Sequence, residues 1–303
     1  MRLEEATYQF VHRTFQEYLA ARWLATAEDE VSGDDISYEL IEERVDQTEW
    51  REAILLAIGY LAAVLPRATE RTGNLLHGLW PDLDRTPALW PRTLLLSEAL
   101  IHLLGEKRLG RVRNPKVRED LQTWAQRDLR RIMQDRRREA QDRLQAGLLL
   151  DDLGVLPEGL DDFLPVPGAG FRIGKYPVTN AQFRRFVRAG GYGENGGRRP
   201  DWWSEAGWKQ RQQRDWTEPR FWDDRQFNRD TQPVVGVSWY EAEAYCAWLN
   251  DPASAAHLPR GADYLPKGCR AQLPTRQQWM LAARNGQPAP KDDKLDYPWG
   301  GAF

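Results

Sequence analysis

Apolar residues recur at helical spacing through the first half of the chain. Val11, Phe15, Leu19 and Trp23 repeat every four positions, with Tyr18 widening the stripe, which predicts an amphipathic helix. Glu49 to Leu65 and Leu94 to Leu104 read as further helices, ended by Pro66 and Gly105. Val117, Leu121, Trp124, Leu129, Ile132, Ala140, Leu144 and Leu148 then mark one face of a single long helix from about Lys116 to Leu150, with no internal proline. The run DDLGVLPEGLDDFLPVPGAG between Leu150 and Phe171 has no helical period and is rich in Pro and Gly, so a boundary belongs there. Beyond it the pattern changes to short candidate strands, Phe171 to Ile173 and Val234 to Val237, alternating with turns and short helices.

These patterns imply an α+β chain. An all-α region, residues 1–155, precedes a mixed, loop-rich region, residues 160–303. A length of 303 residues agrees with two cores rather than one. The longest apolar run, Ala53 to Leu65, has 13 residues and falls short of the roughly 20 a bilayer needs. The acidic start MRLEEATYQF has no apolar segment of the signal-peptide kind, so the expected location is cytoplasmic, without a membrane.

Charge bears on partners. Lys and Arg number 42 against 45 Asp and Glu, a formal net of −3. The first 160 residues hold 22 basic and 28 acidic side chains. Arg127, Arg130, Arg131, Arg136, Arg137 and Arg138 suggest a nucleic-acid helix, but Asp128, Asp135, Glu139 and Asp142 are interleaved among them. The spacing favours self-pairing on a solvated face, for example Asp135 with Arg138 and Glu139 with Arg143, and no nucleic-acid partner is expected. Two cysteines and four scattered histidines form no cluster at metal-ligand spacing, so no structural metal is expected.

In the second half, Thr179 or Asn180 can cap a helix over Ala181 to Val187 whose apolar face is Phe183, Phe186 and Val187. Ser238 can cap a helix that places Trp239, Ala242, Cys246 and Leu249 on one stripe. Cys246 is then a small buried hydrophobe, with no cation or helix N-terminus nearby to activate it. Thr275 can cap a third helix with Trp279, Ala282 and Ala283 on its buried side.

FRIGKYPVTNAQFRRFV (Phe171 to Val187), PVVGVSWYEAEAYCAWLN (Pro233 to Asn250), QLPTRQQWMLAARNG (Gln272 to Gly286) and YPWG (Tyr297 to Gly300) together resemble the successive motifs of the formylglycine-generating enzyme, or sulfatase-modifying factor, family. The resemblance covers Pro165 to Phe303 and implies a C-type-lectin-like fold, of which this chain holds the N-terminal portion. Where the family has acidic residues after the capping threonine, this chain has Arg276, Gln277 and Gln278, a loss of about 0.3–1 kcal/mol of favourable helix-end charge. YQFVHRTFQEYLAARWLA (Tyr8 to Ala25) resembles the helical segment that follows a NACHT-type signalling NTPase domain. That likeness implies an upstream NACHT NTPase as partner in cis, and places His12 beside aromatic side chains rather than in catalysis.

The family resemblance also implies cysteine oxidation by a copper-binding cysteine pair behind an R-G-G-S-W type motif, with calcium held by glycine- and aspartate-rich segments. None of those later motifs precedes Phe303. Cys246 and Cys269, 23 positions apart on a helix and in a loop, are poor substitutes. No catalytic residue, copper or calcium is therefore expected within this chain. No phosphate-binding G-x-x-x-x-G-K-[ST] loop is present either. Iron-dependent sulfoxide synthases carry a related C-terminal domain behind a histidine-bearing helical one, but His12, His77 and His102 are too widely spaced for an H-x-x-x-H-x-E site.

Recognition is the remaining reading. Nine of the 14 Trp lie beyond residue 200. Trp202, Trp203, Trp208, Trp216 and Trp222 sit among Arg198, Arg199, Lys209, Arg211, Arg214 and Arg220. They are candidates, with Arg211, for binding a protein or small-molecule ligand, because exposed Trp and Arg dominate interface energetics. The alternative is that the tryptophans fill the core of a loop-rich fold.

Overall fold

The structure, a computed structural model, describes residues 12–28, 37–64, 68–105, 109–193 and 201–286. The likeness segment Tyr8 to Val11, the helix-ending Pro66, the His102 side chain, Arg198, Arg199 and the YPWG motif lie outside what is described. The chain divides into two compact units, Met1–Val155 and Leu156–Phe303.

The described part of the first unit is almost wholly helical: α1 (Arg13–Thr26), α2 (Ser37–Glu42), α3 (Arg51–Val64), α4 (Ala68–Leu79), α5 (Trp90–Gly105), α6 (Pro115–Gln134) and α7 (Ala140–Asp152). In α3 the buried residues Ala53, Ile54, Ala57, Ile58, Leu61 and Ala62 follow a helical stripe, and α1, α4 and α5 pack around that helix. None of the helices described is long and apolar enough to cross a membrane.

Two sequence expectations fail here. α1 forms, but it buries the small residues Ala21 and Ala25 with Leu24, while Phe15 (64% exposed), Tyr18, Leu19 and Trp23 face outward. Close packing on α3 selects the face of small side chains over the face of large ones. His12 does lie near an aromatic ring, 6.3 Å from Phe15. The expected long helix is instead a hairpin of α6 and α7, broken at Asp135. That residue is extended (φ −75°, ψ 97°), and its carboxylate accepts from the Arg137 backbone N–H at 3.2 Å, a local bond that competes with helix continuation. The break resets the buried face of α7 to Ala146, Leu149 and Leu150, leaving Leu144 exposed.

The arginine-rich face is largely self-paired. Arg131 meets Asp84 at 2.6 Å, Arg137 and Arg138 share Asp135, and Arg138 also lies over the Trp90 ring. Arg143 reaches the Met133 carbonyl rather than Glu139. Asp128, expected on the solvated face, is wholly buried, accepting from Trp80 Nε1 at 3.0 Å and pairing with Arg127 at 2.7 Å.

The second unit begins with an antiparallel hairpin, β1 (Phe163–Pro165) and β2 (Arg172–Gly174), in register Phe163↔Gly174 and Pro165↔Arg172. Gly168 and Gly170 in its turn adopt positive φ, 69° and 67°, where a side chain would be strained. Around it lie α8 (Asn180–Arg188), α9 (Glu205–Gln213), α10 (Trp239–Leu249) and α11 (Arg276–Ala283). Val234 to Val237 is not a strand; only an isolated bridge, Thr179↔Pro233, forms beside it.

Thr179, Ser238 and Thr275 each cap their helix through a reciprocal bond from the residue three positions on, Gln182, Glu241 and Gln278. Phe183 and Phe186 of α8 are buried, as their spacing predicts. The face of α10 differs from the expected one. Glu241, Ala244, Tyr245, Trp248 and Leu249 are buried, Trp239 is 60% exposed and Cys246 only half-buried. α11 has no buried residue, and Trp279 is 54% exposed, because nothing among the described residues covers that side.

Candidate functional site

The core of the second unit is aromatic. Phe183 and Phe186 from α8 meet Tyr245 and Trp248 from α10, with ring centroids 5.2–5.9 Å apart. Gly191 must be glycine here, since a Cβ would lie 2.6 Å from the Phe186 ring. Tyr192 donates to Glu241 at 2.6 Å, and Glu241 accepts in turn from the Ser238 backbone N–H, so the buried carboxylate is satisfied at the start of α10. Burial and the Glu241 charge drive the Tyr192 hydroxyl far above its ordinary pKa and keep it protonated.

Four of the five candidate tryptophans surround this core. Trp203 is inside it, 3% exposed, its indole N–H bonded to the Gly191 carbonyl at 2.6 Å; it is a packing residue and not a surface for ligand. Trp202 packs on the core with its N–H held by Asp251 at 2.8 Å. Trp208, Trp216 and Trp222 are half-buried around the same core, and each carries a guanidinium: Arg211 over Trp208 at 5.2 Å, Arg214 over Trp216 at 5.8 Å, Arg184 over Trp222 at 5.3 Å. Arg211 Nε is buried without a hydrogen-bond partner among the described residues. Lys209 and Arg220 are exposed, the latter over Phe221.

A second polar centre was not legible in the sequence. Asp161, just before β1, accepts from Arg185 at 2.8 and 3.1 Å, from Gln182 at 3.0 Å and from the Tyr264 hydroxyl at 2.9 Å. Burial alone would raise its pKa. The bonds from Arg185, Gln182 and Tyr264 outweigh that and hold the carboxyl below the ordinary range. Asp161 and Tyr264 are 103 positions apart, beyond the reach of any local pattern.

The thiols do not fit a copper site. Both cysteines are free, Cys246 half-buried on α10 and Cys269 exposed in a loop. Burial, with the Glu243 charge, pushes the Cys246 thiol up to about 11. Among the described residues no group of three or more His, Cys, Asp or Glu is placed to hold a metal ion. His77 is engaged with Asp120 at 3.0 Å.

With capped α8, α10 and α11 in the order of the motifs, comparison with known proteins becomes informative. Residues 165–303 match the sulfatase-modifying factor enzyme 1-like domain. Hercynine oxygenase of Mycolicibacterium thermoresistibile is 35% identical over 163 residues, 50% of this chain and 30% of that protein. Formylglycine-generating enzyme of Thermomonospora curvata is 27% identical over 153 residues, 43% of this chain and 41% of that protein. Inactive C-alpha-formylglycine-generating enzyme 2 of Mus musculus is 30% identical over 173 residues, 48% of this chain and 46% of that protein. The chain thus spans under half the length of each of these relatives. No solved structure matches. The sulfatase-modifying-factor-like domain therefore has relatives named as oxygenases, as a formylglycine generator and as an inactive counterpart.

Proposed function

We propose that the sulfatase-modifying-factor-like domain of this chain is a recognition module, a sensor or display surface that binds a protein or small-molecule ligand rather than one that performs chemistry with its own side chains. The reading is carried by the three half-buried indole–guanidinium pairs, Trp208/Arg211, Trp216/Arg214 and Trp222/Arg184, set around one rigid aromatic core. Arg211 and Arg214 set positive charge beside flat apolar area at small entropic cost, while Arg184 is already paired with Asp230. Trp202 packs on the same core, while Trp203 is buried within it. The relative named inactive supports the same reading.

The module would act in the cytoplasm behind a NACHT-type NTPase, with ligand occupancy biasing that switch by its differential affinity for the two states. Its test is binding of the purified chain to arrayed peptides and glycans. Features bound by the chain should be lost by Arg214→Ala at unchanged thermal midpoint, and by Trp216→Ala, whose lost packing lowers that midpoint. Retention of the same features by both variants would refute the assigned surface.

The second reading is an oxidising enzyme, either a formylglycine generator or an oxygenase, whose reactive residues lie outside this chain. The relatives named hercynine oxygenase favour it. Reading the coding DNA past the Phe303 codon separates the module from the formylglycine generator: two closely spaced cysteines behind an R-G-G-S-W segment would support that enzyme, and the same segment without them would exclude it.

A further inference from the structure

β1, Arg172 of β2 and the segment from Arg260 to Pro266 line a cleft of about 350 Å3, at the lower end of the roughly 300–1,000 Å3 usual for small-molecule sites. Its apolar lining is Phe163, Leu164, Pro165, Tyr264 and Pro266; its charged groups are two cations, Arg172 and Arg260, and two anions, Asp162 and Asp263.

Much of this lining is fixed. The Tyr264 ring is buried, held through its hydroxyl by Asp161, and stands edge-on to Phe163 (5.9 Å, 86°). Arg260 is committed: it donates to the Asp161 carbonyl, pairs with Asp162 at 3.3 Å and lies over Tyr264. Arg172 and Asp263 are not committed in this way. Arg172 donates one N–H to the Phe163 carbonyl at 3.0 Å, and no carboxylate pairs with it among the described residues. A guanidinium has five N–H donors in a fork matched to a carboxylate, so most of its capacity is open. The Asp263 carboxylate, exposed in the same cleft, has no cation paired with it among the described residues.

An added peptide strand does not suit the place. In the hairpin, Val166 N–H donates to Phe171 and Lys175 N–H to Asp162, so Leu164 faces β2 and the outward backbone groups belong to Phe163 and Pro165. Pro165 has no N–H, and Arg172 already takes the Phe163 carbonyl, which blunts this edge against pairing.

We infer that the cleft binds a small zwitterion of amino-acid size, its carboxylate on Arg172, its ammonium on Asp263 and its side chain against Phe163 and Pro266. The site is separate from the tryptophan pairs and does not rest on the role proposed for them. Isothermal titration calorimetry of the full chain with L-phenylalanine and L-leucine tests it, with 3-phenylpropionate and phenethylamine as the single-charge counterparts. At least one amino acid should bind, with the single-charge compounds at least tenfold weaker. Arg172→Gln and Asp263→Asn should each weaken binding at least tenfold at unchanged circular dichroism. Absence of binding by both amino acids at millimolar concentration, equal binding of a single-charge compound, or wild-type affinity in both variants would overturn the assignment.

Discussion

Asp161 gathers side-chain contacts from Arg185, Gln182 and Tyr264, and its charge is what those contacts require. Removing it with Asp161→Asn leaves Arg185 without its carboxylate partner and should cost about 2 kcal/mol, at the level of hydrogen bonds to charged groups, read as a lower denaturation midpoint. Because the folded pKa lies below the unfolded one, this stabilisation is complete above the ordinary carboxylate value of about 3.9 and is lost as pH falls through the lower folded value. The wild type should therefore lose stability over that acid range more steeply than the Asn variant; parallel profiles would contradict the assigned role. Cys246 makes a second residue-level prediction. With a thiol pushed up to about 11, its thiolate fraction at pH 8 is about one in a thousand. Iodoacetamide at that pH should label exposed Cys269 first and Cys246 only after unfolding, and mass spectrometry of the labelled peptides reports the order.

At the level of elements, the caps and the face of α8 were legible in the sequence, while the faces of α1, α7 and α10 were not. Thr179, Ser238 and Thr275 cap as expected because capping is decided within four residues. Ser238→Ala should cost about 1 kcal/mol in chemical denaturation, by releasing an orphan N–H of α10. The buried stripe of α10 starts at Glu241, a polar residue that becomes a core residue only because Tyr192, 49 positions away, donates to it. Hydrophobicity alone chose Trp239 and Cys246 instead. The same failure recurs in α1, where close contact with α3 selects Ala21 and Ala25 over Phe15 and Trp23. The α6–α7 break carries no proline or glycine signal, because it depends on one aspartate bonding its own backbone neighbour. Of the candidate site, the tryptophans were found from composition, while the Asp161 centre and the Arg172 cleft join residues far apart in sequence.

On the scale of the molecule, the first unit is built on two aliphatic clusters among its helices and the second on aromatic rings. Far-UV circular dichroism reports mainly the helical first unit, and tryptophan fluorescence mainly the second, where nine of the 14 Trp lie. The two probes should give non-coincident denaturation curves; a single shared transition would argue for one cooperative fold. Function is tested most directly by chemistry. The protein expressed from its full natural reading frame is incubated with copper, oxygen and a cysteine-bearing sulfatase peptide, and the peptide is weighed by mass spectrometry. A recognition module returns the peptide with its cysteine unchanged, whereas conversion of that cysteine to formylglycine would contradict the non-catalytic reading.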